Sequence, residues 1–205
     1  MNSLNKEIEQ QLINENTDFI RFVDISTLDI QQNQGLPYAI LIGIALNPQF
    51  IKAVHDSPDY VHTLSDEYAQ VEKRVGLIAD KLTDLLVRKG YKALSQSDNA
   101  LITENAFDFA TKTSVLPHKT IAVLSGNGYI GKNNLFITAE YGAAQCLGTV
   151  LTNAPLSIMK HEIKPSQCGN CNICKNVCPQ KALNGVRWDI NVSRNEIVNA
   201  VSYTH

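Results

Sequence analysis

Four cysteines lie close together late in the chain, and their spacing is the feature of the sequence that most directly indicates chemistry. Cys168, Cys171, Cys174 and Cys178 follow the pattern C-x-x-C-x-x-C-x-x-x-C-P, which ends at Pro179. Thiolates two residues apart on a tight turn can face one centre, and this run with its trailing proline is typical of bacterial iron-sulfur proteins. The run therefore predicts a 4Fe-4S cluster with these cysteines as its metal ligands.

Two other uses of the cysteines are weaker interpretations. Structural zinc is usually held by two CxxC pairs, or by one such pair and two histidines, separated by about a dozen residues or more. Disulfides are expected in small secreted domains, whereas this chain has five cysteines, an odd number, and its first residues do not resemble a signal peptide. Zinc stays the main alternative to the cluster.

The spacing leaves open whether one cluster or two are formed. In two-cluster proteins the fourth cysteine of such a run binds the other cluster, which here would assign Cys178 to a second cluster. The fifth cysteine, Cys146, lies among apolar residues and is predicted to be a buried core thiol. Either all four cysteines of the run close one cluster, or the missing ligands lie beyond residue 205.

Composition is that of a globular protein and gives no electrostatic reason to expect nucleic acid. The 205 residues are 44% hydrophobic, enough for a sizeable core, and the formal net charge is -2. The longest apolar run, residues 38–46, is far shorter than the roughly 20 residues of a membrane-spanning helix. We expect a soluble protein of a reducing cytoplasm with no membrane partner.

Hydrophobic periodicity predicts an α+β fold in which helices pack on a mixed sheet. The clearest helix is 66–89, with one apolar stripe, acidic residues in its first turn and basic residues in its last. Further helices are expected at 4–15 and 180–183, and strands at 19–25, 38–46, 135–139 and 145–151. A change to polar sequence after Pro155 predicts two domains, 1–155 and 156–205.

A glycine-rich stretch precedes the last two predicted strands. Residues 126–132 contain a formal GxGxxG and a formal GxxxxGK, both of which require a strand before the glycines and a helix after them. Asn133 replaces the Ser or Thr that would bind magnesium, and residues 135–138 favour a strand instead of a helix. Both phosphate-binding interpretations are therefore rejected. What remains is a loop whose backbone can closely approach a flat or bulky ligand.

Together, several stretches resemble one family. Residues 116–119, 126–133, 141–142, 147–152 and the cysteine run at 168–179 match, in order and spacing, the epoxyqueuosine reductases and their shorter iron-sulfur relatives. The resemblance covers roughly residues 110 to 190. It implies an N-terminal cobalamin-binding domain of nitroreductase-like type, followed by a small ferredoxin-like domain with 4Fe-4S clusters.

The resemblance also implies a reaction. Electrons would pass from a donor such as ferredoxin or flavodoxin through the clusters to cobalamin or to a substrate, which in that family is the modified wobble base of a tRNA. The corrin would lie against a set of residues in the glycine-rich stretch: Gly126, Gly128, Tyr129, Gly131 and Lys132.

Two departures from the family pattern qualify what the resemblance implies. Lys112 stands where the tRNA-modifying enzymes carry an aspartate proton donor, and Asp108 is the nearest acid. No second cysteine run follows the first within the 205 residues. A small-molecule substrate, a non-catalytic electron-transfer protein and a zinc-bearing interaction module stay open as alternatives.

Overall fold

The computed structural model describes residues 2–111 and 113–199. Its helices are α1 (Ser3–Asn14), α2 (Ile30–Asn33), α3 (Pro48–His55), α4 (Glu67–Arg88), α5 (Asp98–Thr103), α6 (His118–Leu124), α7 (Ile173–Val177) and α8 (Arg194–Ile197). Its strands are β1 (Phe19–Asp24), β2 (Tyr38–Ala45), β3 (Ala93–Ser95), β4 (Phe107–Asp108), β5 (Thr113–Ser114), β6 (Gly128–Ile130), β7 (Phe136–Thr138) and β8 (Gln145–Thr152).

A four-stranded antiparallel sheet of order β1-β2-β8-β3 forms the centre of the fold. Strand β2 pairs with β8 along its whole length, from Tyr38 opposite Thr152 to Ala45 opposite Gln145. Side chains of a strand alternate between the two faces of a sheet, and β2 is apolar on both faces. The sheet therefore separates two hydrophobic cores.

The first core lies between the sheet and the long helix α4. Ile40, Ile42 and Ile44 of β2 face it, together with Leu82 and Leu86 of α4. The helix begins where the Asp66 carboxylate accepts the Ala69 N–H at 3.0 Å, which satisfies one of the free donors of the first turn. Helix α1 adds Ile8 and Leu12 to this core, and both side chains are fully buried.

The second core lies on the opposite face of the sheet, under helix α6 and the β6–β7 hairpin. Ala39 and Leu41 of β2 face it, and Ile121 of α6 is fully buried there. The late segment of the chain, residues 156–199, contributes to the same core through Trp188 and the fully buried Ile197. Residues after 155 thus share a core with residues before 155, and the predicted boundary at this point stays a prediction.

Most predicted elements are present with small shifts at their ends. Helix α1 begins one residue earlier than predicted and is capped by Asn2, whose side chain accepts the Asn5 N–H. The helix predicted at 180–183 is wrong, because Lys181 has a φ of +50° and Leu183 forms a bridge with Val198. No described helix is both long and apolar enough to cross a membrane.

The predicted fold class is confirmed at the level of a mixed α/β architecture with antiparallel sheets. The late segment, residues 156–199, contains only the short helices α7 and α8 and one isolated bridge among its described elements. This arrangement does not establish a ferredoxin-like domain, which stays a prediction.

Candidate iron-sulfur site

The cysteine run consists of a turn followed by one short helix. The turn closes where the Cys171 N–H donates to the Cys168 carbonyl oxygen at 3.0 Å. Gly169 occupies this turn with a φ of +51°, a conformation that glycine adopts without steric cost. Helix α7 then carries Cys174, and Cys178 lies directly after its last residue. The sequence spacing thus places the first two cysteines on the turn and the third on the helix.

Lys132 joins this run to the β6–β7 hairpin, although 36 residues separate it from Cys168. Its backbone N–H donates to the Cys168 sulfur at 3.4 Å. Its ammonium group donates to the Cys171 carbonyl oxygen at 2.9 Å and to the Asn172 side-chain oxygen at 3.1 Å. Only 5% of the Lys132 surface is exposed. These three hydrogen bonds therefore join two of the predicted sites, the glycine-rich stretch and the cysteine run.

The donor set fits an iron-sulfur cluster chemically. All four cysteines of the run are free thiols, three are half-buried, and Cys171 is exposed. The thiols are not gathered around one centre, however: within residues 2–111 and 113–199, no three His, Cys, Asp or Glu side chains are placed to hold a metal ion together. The four ligand assignments stay predictions.

Cys146 has the properties predicted for a core thiol. It lies on β8, is 5% exposed and belongs to the first core. Burial, with a smaller contribution from Glu72, raises the pKa of its thiol to about 12. A thiol that is protonated at neutral pH is a poor metal ligand, since metals bind the thiolate.

The glycines of the predicted corrin site contact the protein's own atoms. A Cβ atom on Gly128 would lie 2.2 Å from the Ile137 carbonyl oxygen, and one on Gly126 would lie 2.5 Å from the His161 Cβ. A Cβ on Gly131 would meet the side chains of Asn133 and Ile137, each at 2.6 Å. These glycines permit the hairpin to pack, and they do not form an open cradle for a corrinoid.

The hairpin also explains why the two phosphate-binding patterns do not apply. Helix α6 ends at Leu124, immediately before the glycines, and strand β7 follows them. This order is the reverse of the strand, loop and helix that such sites need. Tyr129 lies in β6 opposite Ile137 and is half-buried. Its assignment to a cofactor site, like those of the glycines and Lys132, stays a prediction.

The predicted proton donor, Lys112, lies outside the described residues. The nearest acid, Asp108, is exposed and accepts the N–H groups of Ala110 and Thr111 at 2.8 and 3.2 Å. Hydrogen bonds, first from the Thr111 side chain and then from these backbone groups, lower the pKa of Asp108. Asp108, the last residue of β4, is therefore ionised at neutral pH and is poorly suited to donate a proton.

The sequence analysis missed a histidine at the edge of a cavity. His118 begins helix α6, and its Nδ1 lies 2.8 Å from the Thr149 hydroxyl of β8. Burial lowers the pKa of His118 to about 4, so the imidazole is neutral at pH 7. It lines a cavity of about 350 Å³ together with Glu72, whose pKa is raised by burial, and with Cys146. The only sequence signal was its place in the stretch 116–119 of the family resemblance.

Comparison with known proteins links the chain to one group of enzymes by sequence and to two by fold. No protein-family model matches the chain. The epoxyqueuosine reductase of Lactococcus garvieae is 31% identical over 100 residues, which are 49% of this chain and 28% of that protein. The enzyme of Atelocyanobacterium thalassa is 41% identical over 71 residues, 35% of this chain and 23% of that protein. The chain is related in sequence to the epoxyqueuosine reductases.

The solved structures of epoxyqueuosine reductases have the same fold over most of this chain. The enzyme from Streptococcus thermophilus superposes with a TM-score of 0.56 at 18% identity, over 90% of this chain and 54% of that one. A catabolic reductive dehalogenase superposes with a TM-score of 0.66 at 16% identity, over 88% of this chain and 27% of that one. The chain thus spans about half the length of the epoxyqueuosine reductase structures and about a quarter of the dehalogenase.

Proposed function

We propose that the chain is an iron-sulfur redox protein, a reductase related to epoxyqueuosine reductase. In this proposal the cysteine run holds a 4Fe-4S cluster, which passes electrons to the substrate in the N-terminal part. The corrinoid that the family resemblance implies as an alternative acceptor is given no step. The observation that carries the proposal is the pair of contacts by which Lys132 holds Cys168 and Cys171 against the α/β part. Electron transfer needs such close contact between the group that carries the electrons and the part that receives them.

The residues of the run and the hairpin have distinct tasks in this proposal. Cys168, Cys171, Cys174 and Cys178 supply thiolates, and Lys132 positions the turn that bears the first two. When bound, a 4Fe-4S cluster supplies one-electron transfer. We assign no step to a corrinoid, because the glycines that would accommodate it are packed against the chain itself.

His118 is the described group best placed to serve a substrate in the neighbouring cavity. Its neutral ring can orient a hydroxyl group of the substrate, and Thr149 constrains which ring nitrogen faces the cavity. Lys112 stays the second candidate, on the family resemblance alone. A cavity that contains a neutral histidine favours an enzyme over a protein that only transfers electrons.

A tRNA is the proposed substrate class, with a small molecule as the alternative. The support is that a solved epoxyqueuosine reductase was crystallised with an epoxyqueuosine-modified tRNA stem loop. That structure superposes on 87% of this chain with a TM-score of 0.54. The net charge of -2 provides no general attraction to RNA, so recognition would depend on local contacts.

The test is the iron, acid-labile sulfide and zinc content of the anaerobically purified chain. We expect about four irons and four sulfides per chain for one cluster. Cys171→Ala should lose this iron, whereas Cys146→Ala, which removes a thiol from the core, should retain it. Zinc without sulfide, or full iron loading of Cys171→Ala, would contradict the ligand assignment. Binding of hydroxocobalamin under the same anaerobic conditions would then show whether the chain holds a corrinoid, and reduction of the bound cobalt would show whether it accepts electrons.

A further inference from the structure

A second cavity lies between helix α6 and the late segment of the chain, and it shares Pro117, Lys119 and Arg194 with the His118 cavity. It has a volume of about 330 Å³, at the lower end of the usual range for small-molecule sites. Most of its wall is apolar, with Leu28, Val123, Ile163, Trp188 and Val192 among the lining residues. We call it the Trp188 cavity. None of the five cysteines lines it.

Two cations, Lys119 and Arg194, also line this mostly apolar cavity. The Lys119 ammonium donates to the Asn134 carbonyl oxygen at 2.7 Å, and the Arg194 guanidinium donates to the Thr111 carbonyl oxygen at 2.9 Å. Among the residues that the structure describes, neither cation forms an ion pair with a carboxylate. Both are therefore held by neutral oxygens, and their charges are not compensated by the protein there.

The two cations are close enough to influence each other. Burial, and then the positive charge of Arg194, lower the pKa of Lys119 to about 8. Among the described residues, no acid is one of the groups that act on this pKa. An anion between the two side chains would remove their mutual repulsion and gain attraction from both, in a partly buried place where such attraction is only weakly screened.

We propose that the Trp188 cavity binds an amphipathic organic anion. Its single carboxylate would lie between Lys119 and Arg194, and its apolar chain would lie against Trp188 and Val123, for a ligand of about ten heavy atoms in all. The size follows from the cavity volume, and the negative charge follows from two uncompensated cations beside an apolar wall. The site contains no part of the cysteine run, and Trp188 and Val123 line this cavity alone, whereas Lys119 and Arg194 also line the His118 cavity. A response of Trp188 to the ligand therefore distinguishes this site from the proposed substrate cavity.

The chain provides its own reporter for the test, because Trp188 is the only tryptophan among the 205 residues. Octanoate is titrated into the full chain with excitation of Trp188 at 295 nm, and 1-octanol serves as the uncharged ligand of equal chain length. We expect octanoate to shift the Trp188 emission and to bind at least tenfold more tightly than 1-octanol. Equal affinities for the two ligands, or no change in emission with octanoate, would overturn the proposal.

Charge variants locate the carboxylate. Lys119→Gln and Arg194→Gln should each weaken octanoate binding about tenfold without changing the affinity for 1-octanol, while Arg194→Lys should retain most of the binding. Arg88→Gln, which removes an exposed cation at the end of α4, is the matched control and should have no effect. If Arg88→Gln weakens binding as much as Arg194→Gln, the attraction is general and the assigned site is wrong. The measured quantity is the ratio of the octanoate affinity to the 1-octanol affinity within each variant. Partial loss of folded protein affects both affinities equally and leaves this ratio unchanged.

Discussion

Replacing Lys132 with methionine tests the contact between the hairpin and the cysteine run. Methionine has nearly the same length and keeps the apolar stem, but it removes both hydrogen bonds of the ammonium group. Hydrogen bonds to charged groups contribute about 1.5–3 kcal/mol each. Both acceptors belong to exposed residues, Cys171 and Asn172, and water can replace the lost donor. We therefore use the lower end of this range for each hydrogen bond and expect the free energy that holds the turn closed to fall by about 2–3 kcal/mol in all.

Amide hydrogen exchange measures this loss directly. The Cys171 N–H donates to Cys168 within the turn and exchanges when the turn opens. A loss of about 2–3 kcal/mol raises the population of the open turn roughly 30- to 160-fold, and the Cys171 exchange rate should rise by the same factor. Lys164→Met, at an exposed lysine shortly before the run, is the matched control and should leave the rate unchanged. A Lys132→Met rate within threefold of the unmodified chain would refute the assigned role.

Three further predictions concern the packing and the titration of single residues. Gly128→Ala should lower the free energy of unfolding in urea by about 1–3 kcal/mol, because its Cβ would lie 2.2 Å from the Ile137 carbonyl oxygen; unchanged stability would contradict the packing. Iodoacetamide at pH 8 should alkylate Cys146 far more slowly in the native chain than in urea. A pKa of about 12 leaves only about one Cys146 thiol in 10⁴ ionised in the native chain. Equal alkylation rates would contradict the burial of Cys146. The imidazole proton resonances of His118 should titrate near pH 4, and a midpoint near 6.5 would contradict its burial. Because unfolded His118 takes up its proton at the higher pH, its contribution to stability is complete above pH 6.5 and is lost as the pH falls towards 4, and His118→Gln should remove this part of the pH dependence.

The parts of the fold that sequence predicts well are those with strong local patterns. Strand β2 is a continuous apolar run between turn residues, and α4 has an apolar stripe with charged ends, so both were predicted to within about two residues. The late segment carries no such pattern. Its apolar residues are scattered, and Ile197 is buried only because the chain returns to the second core. Lys181 likewise has a positive φ in a turn, although a lysine at this position does not predict that conformation.

The candidate site also has features that the local sequence predicts and features that it does not. The predicted cysteine ligands are recognisable because their spacing is local, and the buried state of Cys146 follows from its apolar neighbours. The contact of Lys132 with Cys171 joins residues 39 positions apart, and that of His118 with Thr149 joins residues 31 apart. Contacts of this kind are set by the tertiary arrangement, and one sequence contains no periodic signal for them.

The pairing of β2 with β8 has a consequence for the synthesis of the protein. Hairpin β1–β2 is complete once residue 45 is made, but the partner of β2 ends only at Thr152, more than 100 positions later. At typical rates of translation this delay lasts roughly 5–20 s. During that time the free edge of β2 offers unpaired backbone groups on a strand that is apolar on both faces. We expect ribosome-bound chains arrested before residue 145 to be bound by chaperones that recognise extended apolar segments, and to be released when translation continues past residue 152.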